Sequence, residues 1–541
     1  MSYPRPWVAV YEKGGVPFNI SFEKISLPAL LARTVSKFPE KTAMIFFGRE
    51  TPYQQLGACV ERLASALYDL GVRKGDRVAL MLPNCPDFVI SYYAILRLGA
   101  IVVNTNPMYV EREIEHQVND SQSKMIITLI DLYPRVKNVS AKTPLEKVLL
   151  TGFAGKPELP EGTPWLPDLY LSERGPAPAV EIDPEQDIAV LQYTGGTTGV
   201  PKAAALTHFN LYANTTQVNH FFRGDENKRL ILSVLPFFHV YGMTCCMNLA
   251  IAAGTTMILV PRFVPAEIAK IISQYRPTFF PGVPTMFLAL LNCPDFEDFS
   301  TVMVYSSGAA PLPQEVFNGY AKKLAGTASL LAEGYGLSEA SPVTHSNPVF
   351  GENKPGSIGI PYPDTECKIM DAETGTRVVP VGEIGELVIK GPQVMKGYWN
   401  RPEETAKALR DGWLYTGDLA RMDEDGYFYI VDRKKDLIIA GGYNIYPREV
   451  EEVLFTHPKV LEAVVAGVPD PYRGETVKAY IVLREGESAT EEEIIEFCRE
   501  RLAAYKVPRR VEFRKELPKS AVGKLLRRVL VAEELKKKEQ E

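Results

Sequence analysis

A run of glycines and threonines at residues 194–202 is the first part of this sequence whose residue types could do chemistry. It reads Thr-Gly-Gly-Thr-Thr-Gly-Val-Pro-Lys and directly follows an apolar segment at residues 187–193. Glycine lets backbone N–H groups approach oxygen atoms closely, threonine hydroxyls add donors, and lysine adds positive charge. This combination predicts a phosphate-binding loop after a buried strand, although a Gly/Thr-rich string is also typical of a plain turn. It is not a Walker A loop, because no Gly-Lys-Ser/Thr follows at the required spacing. The candidate phosphate-binding residues are Thr194, Gly195, Gly196, Thr197, Thr198, Gly199 and Lys202.

A second constellation, Glu-Gly-Tyr-Gly-Leu-Ser-Glu at residues 333–339, follows a short apolar run. The glycines on either side of Tyr335 would let its ring lie flat against a planar ligand. Glu339 offers the oxygen ligand that Mg²⁺ prefers, and nucleotide phosphates bind together with Mg²⁺. The simpler interpretation is a tight turn that ends in a solvated glutamate.

A third string, Trp-Leu-Tyr-Thr-Gly-Asp at residues 413–418, ends in an aspartate. Asp418 would follow a strand, where its carboxylate could accept both hydroxyls of a ribose or simply cap a turn.

A fourth string, Pro-Lys-Ser-Ala-Val-Gly-Lys at residues 518–524, opens the last helix. Lys524 follows a glycine in a turn and does not belong to the helix face. For Arg527, Arg528 and residues 536–538 we expect an ordinary solvated basic helix.

The composition is that of a large globular protein. At 541 residues, the chain is long enough for roughly three to five domains or subdomains. Its 46% apolar and 23% charged residues exclude wholesale disorder. Lys and Arg total 60 against 66 Asp and Glu, a net charge of −6, which argues against a nucleic-acid partner.

The seven cysteines are scattered without CxxC spacing, and the six histidines fall at no zinc-like interval from them. We therefore expect neither disulfides nor a zinc site, and a reducing compartment. The N-terminal residues lack the apolar core of a signal peptide, and no apolar run reaches the ~20 residues of a membrane span. These features predict a cytoplasmic protein, with peripheral contact at the inner face of the membrane left open.

The first four-fifths of the sequence alternates short apolar runs with helical segments. Strands are predicted at 77–82, 100–104, 124–130, 147–150 and 187–193, and a helix at 91–98. Such alternation predicts an α/β fold with parallel sheets covered by helices. Residues 152–184 are rich in proline and glycine and are expected to form a surface excursion.

The composition changes at the charged run Asp-Arg-Lys-Lys-Asp, residues 432–436. The pattern after it predicts a small α+β domain, with helices at 447–455 and 490–502, strands at 462–468, 477–483 and 511–513, and a basic last helix. Thr490 and Glu493 have the spacing of a capping box. We therefore predict a large domain at 1–431, a hinge at 432–436 and a small, mobile domain at 437–541.

The strings described above occur in the order known from one enzyme superfamily. TGGTTGVPK, EGYGLSE, YTGD, VDRKKD and PKSAVGK resemble the motif series of the adenylate-forming superfamily, over residues 27–538. Within that superfamily, DGWLYTGDLARMDEDGYFYIVDRKKD is similar to the fatty-acyl-CoA synthetase signature. The flanking strings, including KGPQVMKGYWNRPEET, resemble bacterial long-chain fatty acid–CoA ligases. Ser338 departs from the family pattern, which has threonine there, but keeps the hydroxyl.

The resemblance implies a two-domain α/β enzyme that joins a fatty acid to coenzyme A through an acyl-adenylate. ATP and coenzyme A would be co-substrates and Mg²⁺ a cofactor, with Thr194 and Glu339 at the metal. Lys524 would lie beside the reacting carboxylate and the α-phosphate, an electrostatic role that counts most in a dry site. The implied nucleotide contacts are Gly308, Ala309, Ala310, Glu333, Gly334, Tyr335, Ser338, Asp418, Arg433 and Lys435, of which Asp418 and Arg433 would hold the ribose.

The aromatic string Pro-Phe-Phe-His-Val-Tyr-Gly at residues 236–242 is by itself more typical of a packed core than of a site. The resemblance instead makes Phe238 and His239 gate residues of an acyl pocket. An apolar helix at 243–251 and a loop at 280–285, which contains Gly282 and Val283, would form its walls. An apolar tunnel suits a long chain, because each buried CH₂ contributes about 0.8 kcal/mol.

Other interpretations remain open at this point. The motifs handle ATP while the pocket selects the acid, so a medium-chain or 4-coumarate-type aryl ligase fits as well. A peptide-synthetase adenylation domain is less favoured, because the expected aspartate is missing from residues 236–242 and no carrier domain follows. A luciferase would need an oxidation that no residue indicates. A non-enzymatic nucleotide- or fatty-acid-binding protein would leave Lys524 and Glu339 without a role. The family also suggests a homodimer.

Overall fold

The computed structural model describes residues 3–194, 201–222, 229–440, 443–470, 472–520 and 523–540. Within these ranges, the part of the chain before the charged run contains two large sheets covered by helices and a smaller antiparallel sheet. A fourth sheet follows the charged run. The α/β architecture with a large N-terminal and a smaller C-terminal part is therefore confirmed.

The largest sheet among the described residues has nine strands and is parallel through its centre and antiparallel at both edges. In spatial order its strands are Ile360–Pro361, Val343–Ser346, Leu330–Gly336, Val304–Ser307, Phe279–Gly282, Leu230–Ser233, Thr256–Leu259, Thr42–Phe46 and Arg49–Pro52. Its central strands are buried on both faces, as in parallel sheets in general.

The second sheet has seven described strands. The five strands from Ile188–Thr194 to Lys147–Thr151 in the order below run parallel to one another. Its spatial order is Gly397–Tyr398, Lys202–Thr207, Ile188–Thr194, Ile101–Asn104, Arg77–Met81, Met125–Leu129 and Lys147–Thr151. The strands predicted from the sequence are present here with ends that differ by one or two residues. The pair Ile188–Thr194 and Lys202–Thr207 is antiparallel and departs from the expected parallel pairing, because the connection is too short for the crossover that parallel strands need.

Helices cover both sheets. They span Trp7–Lys13, Leu27–Lys37, Tyr53–Asp69, Pro86–Arg97, Glu111–Ser121, Tyr133–Ser140, Leu166–Leu171, His208–Phe221, Val240–Gly242, Leu249–Ala253, Pro265–Tyr275, Pro284–Leu291, Gln314–Leu324 and Pro402–Ala408. Short 3₁₀ turns occur at Ile130–Leu132, Phe299–Thr301 and Ser338–Ala340. Several of these helices carry proline in the first turn, where the missing N–H costs no hydrogen bond.

Two expectations for the walls of the acyl pocket need correction. The helix predicted at 243–251 begins as one and a half turns of π-helix, Met243–Asn248, before it continues as Leu249–Ala253. The loop predicted at 280–285 is the end of the strand Phe279–Gly282 and the start of the helix Pro284–Leu291. Its proline and glycine residues, which favour a loop in the sequence, instead end the strand and begin the helix.

The third sheet consists of the strands Glu366–Met370, Gly385–Lys390, Trp413–Met422, Leu409–Arg410 and Phe428–Arg433. The fourth sheet contains Tyr443–Ile445, Ile438–Ala440, Gly474–Leu483, Val460–Asp470 and Arg510–Phe513, with the helices Pro447–Phe455, Glu491–Arg499 and Arg527–Gln540. The elements predicted for this part are present. Thr490 accepts the N–H of Glu493 at 3.2 Å, whereas the Glu493 carboxylate pairs with Lys459, so only half of the predicted capping box forms.

The segment at 152–184 lies mostly on the surface and contains one short helix, Leu166–Leu171. All seven cysteines are free thiols, and each is buried except the partly exposed Cys293. In the described part of the chain, no helix combines the length and the apolar character that crossing a membrane requires.

Candidate active site

The phosphate end of the candidate site lies where two antiparallel strands, Ile188–Thr194 and Lys202–Thr207, are joined. Thr194 and Lys202 stand directly opposite each other, so the two ends of the predicted phosphate loop are held together. The Nζ atom of Lys202 lies 4.3 Å from the centre of the Tyr398 ring. Gly195, Gly196, Thr197, Thr198 and Gly199 lie outside the described residues.

Glu339 lies next to this end of the site, in the 3₁₀ turn Ser338–Ala340. Its Oε1 atom accepts a hydrogen bond from the Tyr398 hydroxyl at 2.7 Å. Because the ring of Tyr398 also contacts Lys202, the carboxylate and the lysine share one wall of the site. A carboxylate and a threonine hydroxyl beside a phosphate loop form a donor set that fits Mg²⁺, which usually binds one or two carboxylates together with substrate phosphates. The described ranges contain no group of three or more His, Cys, Asp or Glu side chains placed to hold a metal.

The predicted adenine loop, residues 308–310, is closely packed. The N–H of Gly308 donates to the carbonyl oxygen of Gly282 at 3.2 Å, which ties the loop to the end of the neighbouring strand. A Cβ atom at Gly308 would lie 3.1 Å from the Tyr241 ring, tighter than ordinary packing. Ala309 has a φ of +67°, which bends the chain sharply at this point.

Glu333 is buried beside this loop, with 3% of its surface exposed. Its Oε1 atom accepts the N–H of Leu312 at 3.0 Å, whereas Oε2 is buried without a hydrogen-bond partner among the described residues. Burial raises the pKa of Glu333 to about 7, and the charge of Arg448 from the small domain opposes this shift. Because buried polar atoms normally have partners, an unpaired acceptor here fits the amino group of a base.

The ribose end of the site is a group of three side chains joined by one hydrogen bond and one ion pair. The hydroxyl of Tyr335 donates to Oδ2 of Asp418 at 2.5 Å, and Nε of Arg433 lies 3.5 Å from Oδ1. Asp418 and Arg433 face each other on neighbouring strands. Asp418 therefore lies within the strand Trp413–Met422 and does not follow it, a correction to the sequence prediction. Cross-strand pairing fixes the two side chains more firmly than a turn would.

The glycines on either side of Tyr335 have a packing role. A Cβ atom at Gly334 would lie 3.1 Å from the carbonyl oxygen of His345, and one at Gly336 would lie 2.3 Å from that of Pro342. The adjacent antiparallel strand could not approach so closely if these residues had side chains. Close packing against this strand therefore explains both glycines without any contact to a ligand.

Lys524 reaches this site from the small domain. Its N–H donates to Oγ of Ser520 at 3.1 Å, and the N–H of Ser520 donates to its carbonyl oxygen at 2.8 Å, which closes the turn. Gly523 has a φ of +75°, and a Cβ atom there would lie 2.7 Å from Oγ1 of Thr285 in the large domain. Burial and the positive charge of Arg433 lower the pKa of Lys524 to about 7.

The gate predicted for the acyl pocket is near enough to Lys524 for His239 to feel its charge. Burial lowers the pKa of His239 to about 4, and the positive charge of Lys524 adds to this effect. The Nδ1 atom of His239 accepts the N–H of Tyr241 at 3.3 Å, and the carbonyl oxygen of Phe238 accepts a hydrogen bond from Gln192 at 3.1 Å. His239 is thus a neutral side chain in an apolar wall. Gly282 and Val283 are buried nearby, at the junction of strand and helix.

Lys435 also faces the nucleotide side of the site. Desolvation and the charge of Arg433 lower its pKa, while Asp418 and Glu339 act in the opposite direction. The structure thus brings Lys435 into electrostatic contact with both the ribose end and the metal end.

The last helix does not begin as we expected. The guanidinium of Arg527 is mostly buried, with Nη1 2.9 Å from Asp436 and 3.6 Å from Asp432, and Nη2 2.8 Å from Glu451. The prediction of a solvated Arg527 was therefore wrong. Charge counting along the helix cannot reveal acids that come from other segments.

Two contributors to the site were not found from the sequence. Tyr398 belongs to the string GYWN, which resembles the family sequence but suggested no role for the tyrosine. Arg448 lies in a helix whose sequence pattern shows only that it is amphipathic. Contacts across domains and between distant strands leave no local signal in the chain.

The fold and the site together are those of an ATP-dependent adenylating enzyme. Comparison with known protein families gives the same class. The model of the AMP-binding enzyme family matches residues 31–399, and that of the AMP-binding enzyme C-terminal domain matches residues 449–524. This chain belongs to the AMP-binding enzyme family, which confirms the resemblance to the adenylate-forming superfamily.

Among its relatives, a long-chain-fatty-acid–CoA ligase of Bacillus subtilis is 48% identical, with 99% of each chain covered. The crystal structure of ATP-bound MatB from Rhodopseudomonas palustris superposes with a TM-score of 0.85 at 31% identity, covering 94% of this chain and 99% of that one. The apo form of MatB covers the same shares at 31% identity but superposes with a TM-score of only 0.74. The arrangement seen here is therefore closer to the ATP-bound form of that relative than to its apo form.

Proposed function

We propose that this protein is a long-chain fatty acid–CoA ligase that converts a fatty acid, ATP and coenzyme A into acyl-CoA, AMP and diphosphate. The observation that carries the proposal is the position of Lys524. A cation supplied by the small domain interacts electrostatically with Arg433 and Asp418 as well as with His239, whose own pKa is lowered to about 4. This position is where a nucleotide α-phosphate and an acyl carboxylate would meet.

In the first step, a carboxylate oxygen of the fatty acid attacks the α-phosphorus of ATP. The bond from the α-phosphorus to the bridging oxygen breaks, and diphosphate leaves with the electron pair. Lys524 stabilises the negative charge that gathers between the two reacting groups, as fixed cations do in dry sites. Asp418 and Arg433 hold the sugar, and Glu333 accepts from the base. Thr194 and Glu339 would hold Mg²⁺, which neutralises phosphate charge when bound.

In the second step, the sulfur of coenzyme A attacks the acyl carbonyl carbon. The carbonyl carbon–oxygen bond to AMP breaks, and the thiol proton passes to solvent. No residue of the chain needs to form a covalent intermediate, because ATP supplies the activation.

The acyl chain is proposed to lie along the apolar wall behind His239. The described residues 237–251 carry no Asp, Glu, Lys or Arg, and His239 is uncharged at neutral pH because its pKa is lowered to about 4. Such a wall gains about 0.8 kcal/mol for each buried CH₂. The similarity to the Bacillus ligase supports the same class of substrate.

A panel of acids tests the proposal directly. With ATP and coenzyme A present, specificity constants for AMP formation should climb from hexanoate to dodecanoate or beyond. A maximum at a medium-chain acid or at a hydroxycinnamate would favour the alternative ligases. Absence of diphosphate release with every acid of the panel would instead favour a non-enzymatic nucleotide- or fatty-acid-binding role.

We also propose the division into a large domain at 1–431, a hinge at 432–436 and a small mobile domain at 437–541. Lys434 is held by the large domain: its N–H donates to the carbonyl oxygen of Gly417 at 3.0 Å, and its Nζ lies 3.2 Å from Glu386. Asp436 is held by Arg527 of the small domain at 2.9 Å. Lys435, between them, is the natural pivot. The run is only partly exposed, because Asp432 is buried.

Three further expectations stay predictions, the first two from the sequence features and the third from the family resemblance. They are a cytoplasmic location, contact of the enzyme with the inner face of the membrane, and homodimer formation.

A further inference from the structure

Tyr398 lies on a short strand whose backbone is fixed on both sides. The strand Gly397–Tyr398 pairs with Lys202–Thr207, and the N–H of Tyr398 donates to Oγ1 of Thr405 at 2.9 Å. A Cβ atom at Gly397 would lie 2.8 Å from the Thr405 methyl group, so this close approach requires a glycine. The backbone under Tyr398 therefore has little freedom to move.

The side chain of Tyr398 makes two different contacts with groups of the phosphate site. The Nζ atom of Lys202 lies 4.3 Å from the ring centre, which is the geometry of a cation–π interaction. The hydroxyl donates to Oε1 of Glu339 at 2.7 Å. A single rigid ring thus joins the lysine that faces phosphate to the carboxylate that fits Mg²⁺.

We propose that Tyr398 is the positioning residue of the phosphate end: its ring orients Lys202 and its hydroxyl orients Glu339. The inference rests on the proposed function. Lys202 and Glu339 both have long, flexible side chains, and a donor held by a fixed strand removes much of that freedom. Partners that hold a metal-binding carboxylate typically contribute 10- to 100-fold, or about 1.4 to 2.7 kcal/mol, to metal affinity.

The two contacts can be separated by two substitutions. Tyr398→Phe removes the hydroxyl and keeps the ring, whereas Tyr398→Leu removes both. ATP binding is measured by calorimetry without fatty acid, first in EDTA and then over a series of Mg²⁺ concentrations. Tyr398→Phe should bind ATP in EDTA as the unmodified protein does. It should need about 10- to 100-fold more Mg²⁺ for the same gain in ATP affinity.

Tyr398→Leu should show the same loss of Mg²⁺ response and, in addition, about 3- to 10-fold weaker ATP binding in EDTA, because the cation–π contact is lost. In a Glu339→Gln background, Tyr398→Phe should have no further effect on the Mg²⁺ response. Tyr427→Phe is the matched control, because Tyr427 makes the same two kinds of contact outside the site. The Nζ atom of Lys354 lies 4.5 Å from the centre of the Tyr427 ring, and the Tyr427 hydroxyl donates to the carbonyl oxygen of Glu352 at 2.7 Å.

An unchanged Mg²⁺ response in a folded Tyr398→Phe protein that still binds ATP would overturn the inference. Equal losses in the Phe and Leu variants under both conditions would also overturn it, because the two contacts would then have no separate roles. If the unmodified protein released no diphosphate with any fatty acid, the proposed function would fail instead, and the ATP-binding data would still report on Tyr398.

Discussion

Lys524 is the residue on which the two proposed reaction steps differ most. It stabilises charge while the carboxylate attacks the α-phosphorus, but the thiol attacks a finished adenylate with another geometry. Lys524→Ala should therefore reduce adenylate formation about 10²- to 10³-fold and leave thioester formation from supplied acyl-AMP largely intact. The two half-reactions are measured separately, by diphosphate exchange and by acyl-CoA formation.

Lys519→Ala is the control for this substitution, because Lys519 lies in the same loop but pairs with Glu462 at 2.5 Å. It should leave both half-reactions nearly unchanged. Equal losses of the two half-reactions in a folded Lys524→Ala protein would contradict the assignment of Lys524 to adenylate formation.

The lowered pKa of Lys524 predicts proton uptake when ATP binds. In the domain arrangement described here, burial and Arg433 lower its pKa to about 7, so at pH 8.5 the amine is mostly neutral before ATP binds to this arrangement. Phosphate charge favours the ammonium form and raises the pKa, so ATP binding at that pH should take up about one proton. Calorimetry in two buffers of different ionisation enthalpy measures this number.

The proton uptake should disappear in Lys524→Met and persist in Glu333→Gln. The second variant is needed because burial raises the pKa of Glu333 to about 7, which makes it another candidate for proton exchange. ATP binding without proton uptake in the unmodified protein would contradict the prediction.

At the scale of elements, the run 432–436 joins two anchored ends. Lys434 is tied to Gly417 and Glu386, and Asp436 is tied to Arg527. Lys435→Pro fixes φ near −65° and would restrict rotation at the proposed pivot. Adenylation should be largely retained, since the structure already has Lys524 in place, while thioester formation should collapse. This is the reverse of the pattern expected for Lys524→Ala.

Lys435→Ala must accompany the proline variant, because the side chain of Lys435 faces Asp418 and Glu339. The alanine variant should weaken ATP binding without separating the half-reactions. Normal thioester formation in the proline variant would place the pivot elsewhere.

The elements show how far a sequence carries such predictions. Helix Pro447–Phe455 and the parallel strands were predictable, because local periodicity and proline at the helix start determine them. The strings for the phosphate end, the ribose end and the Lys524 loop could also be recognised in the sequence. The antiparallel hairpin at Thr194, the strand position of Asp418 and the burial of Arg527 were not, because strand pairing and acids from distant segments decide them.

At the scale of the whole molecule, the candidate site exists only where the two domains meet. The ion pair between Arg484 and Glu315, at 2.9 Å, adds a peripheral contact between them. Exposed pairs of this kind contribute little, typically about 0–1 kcal/mol, so this pair holds the two domains together only weakly. MatB superposes on this chain less well in its apo form than in its ATP-bound form.

The contacts of Arg448 and Lys524 affect the timing of the reaction. Both residues belong to the small domain, yet Arg448 acts on Glu333 at the base end and Lys524 acts on Asp418 at the sugar end. A nucleotide between them is covered at both ends while the domains keep this arrangement. With the proposed site and hinge, ATP would therefore have to arrive before the domains close, and AMP could depart only after they separate. Turnover would thus include a conformational step, and AMP could not be released faster than the domains separate.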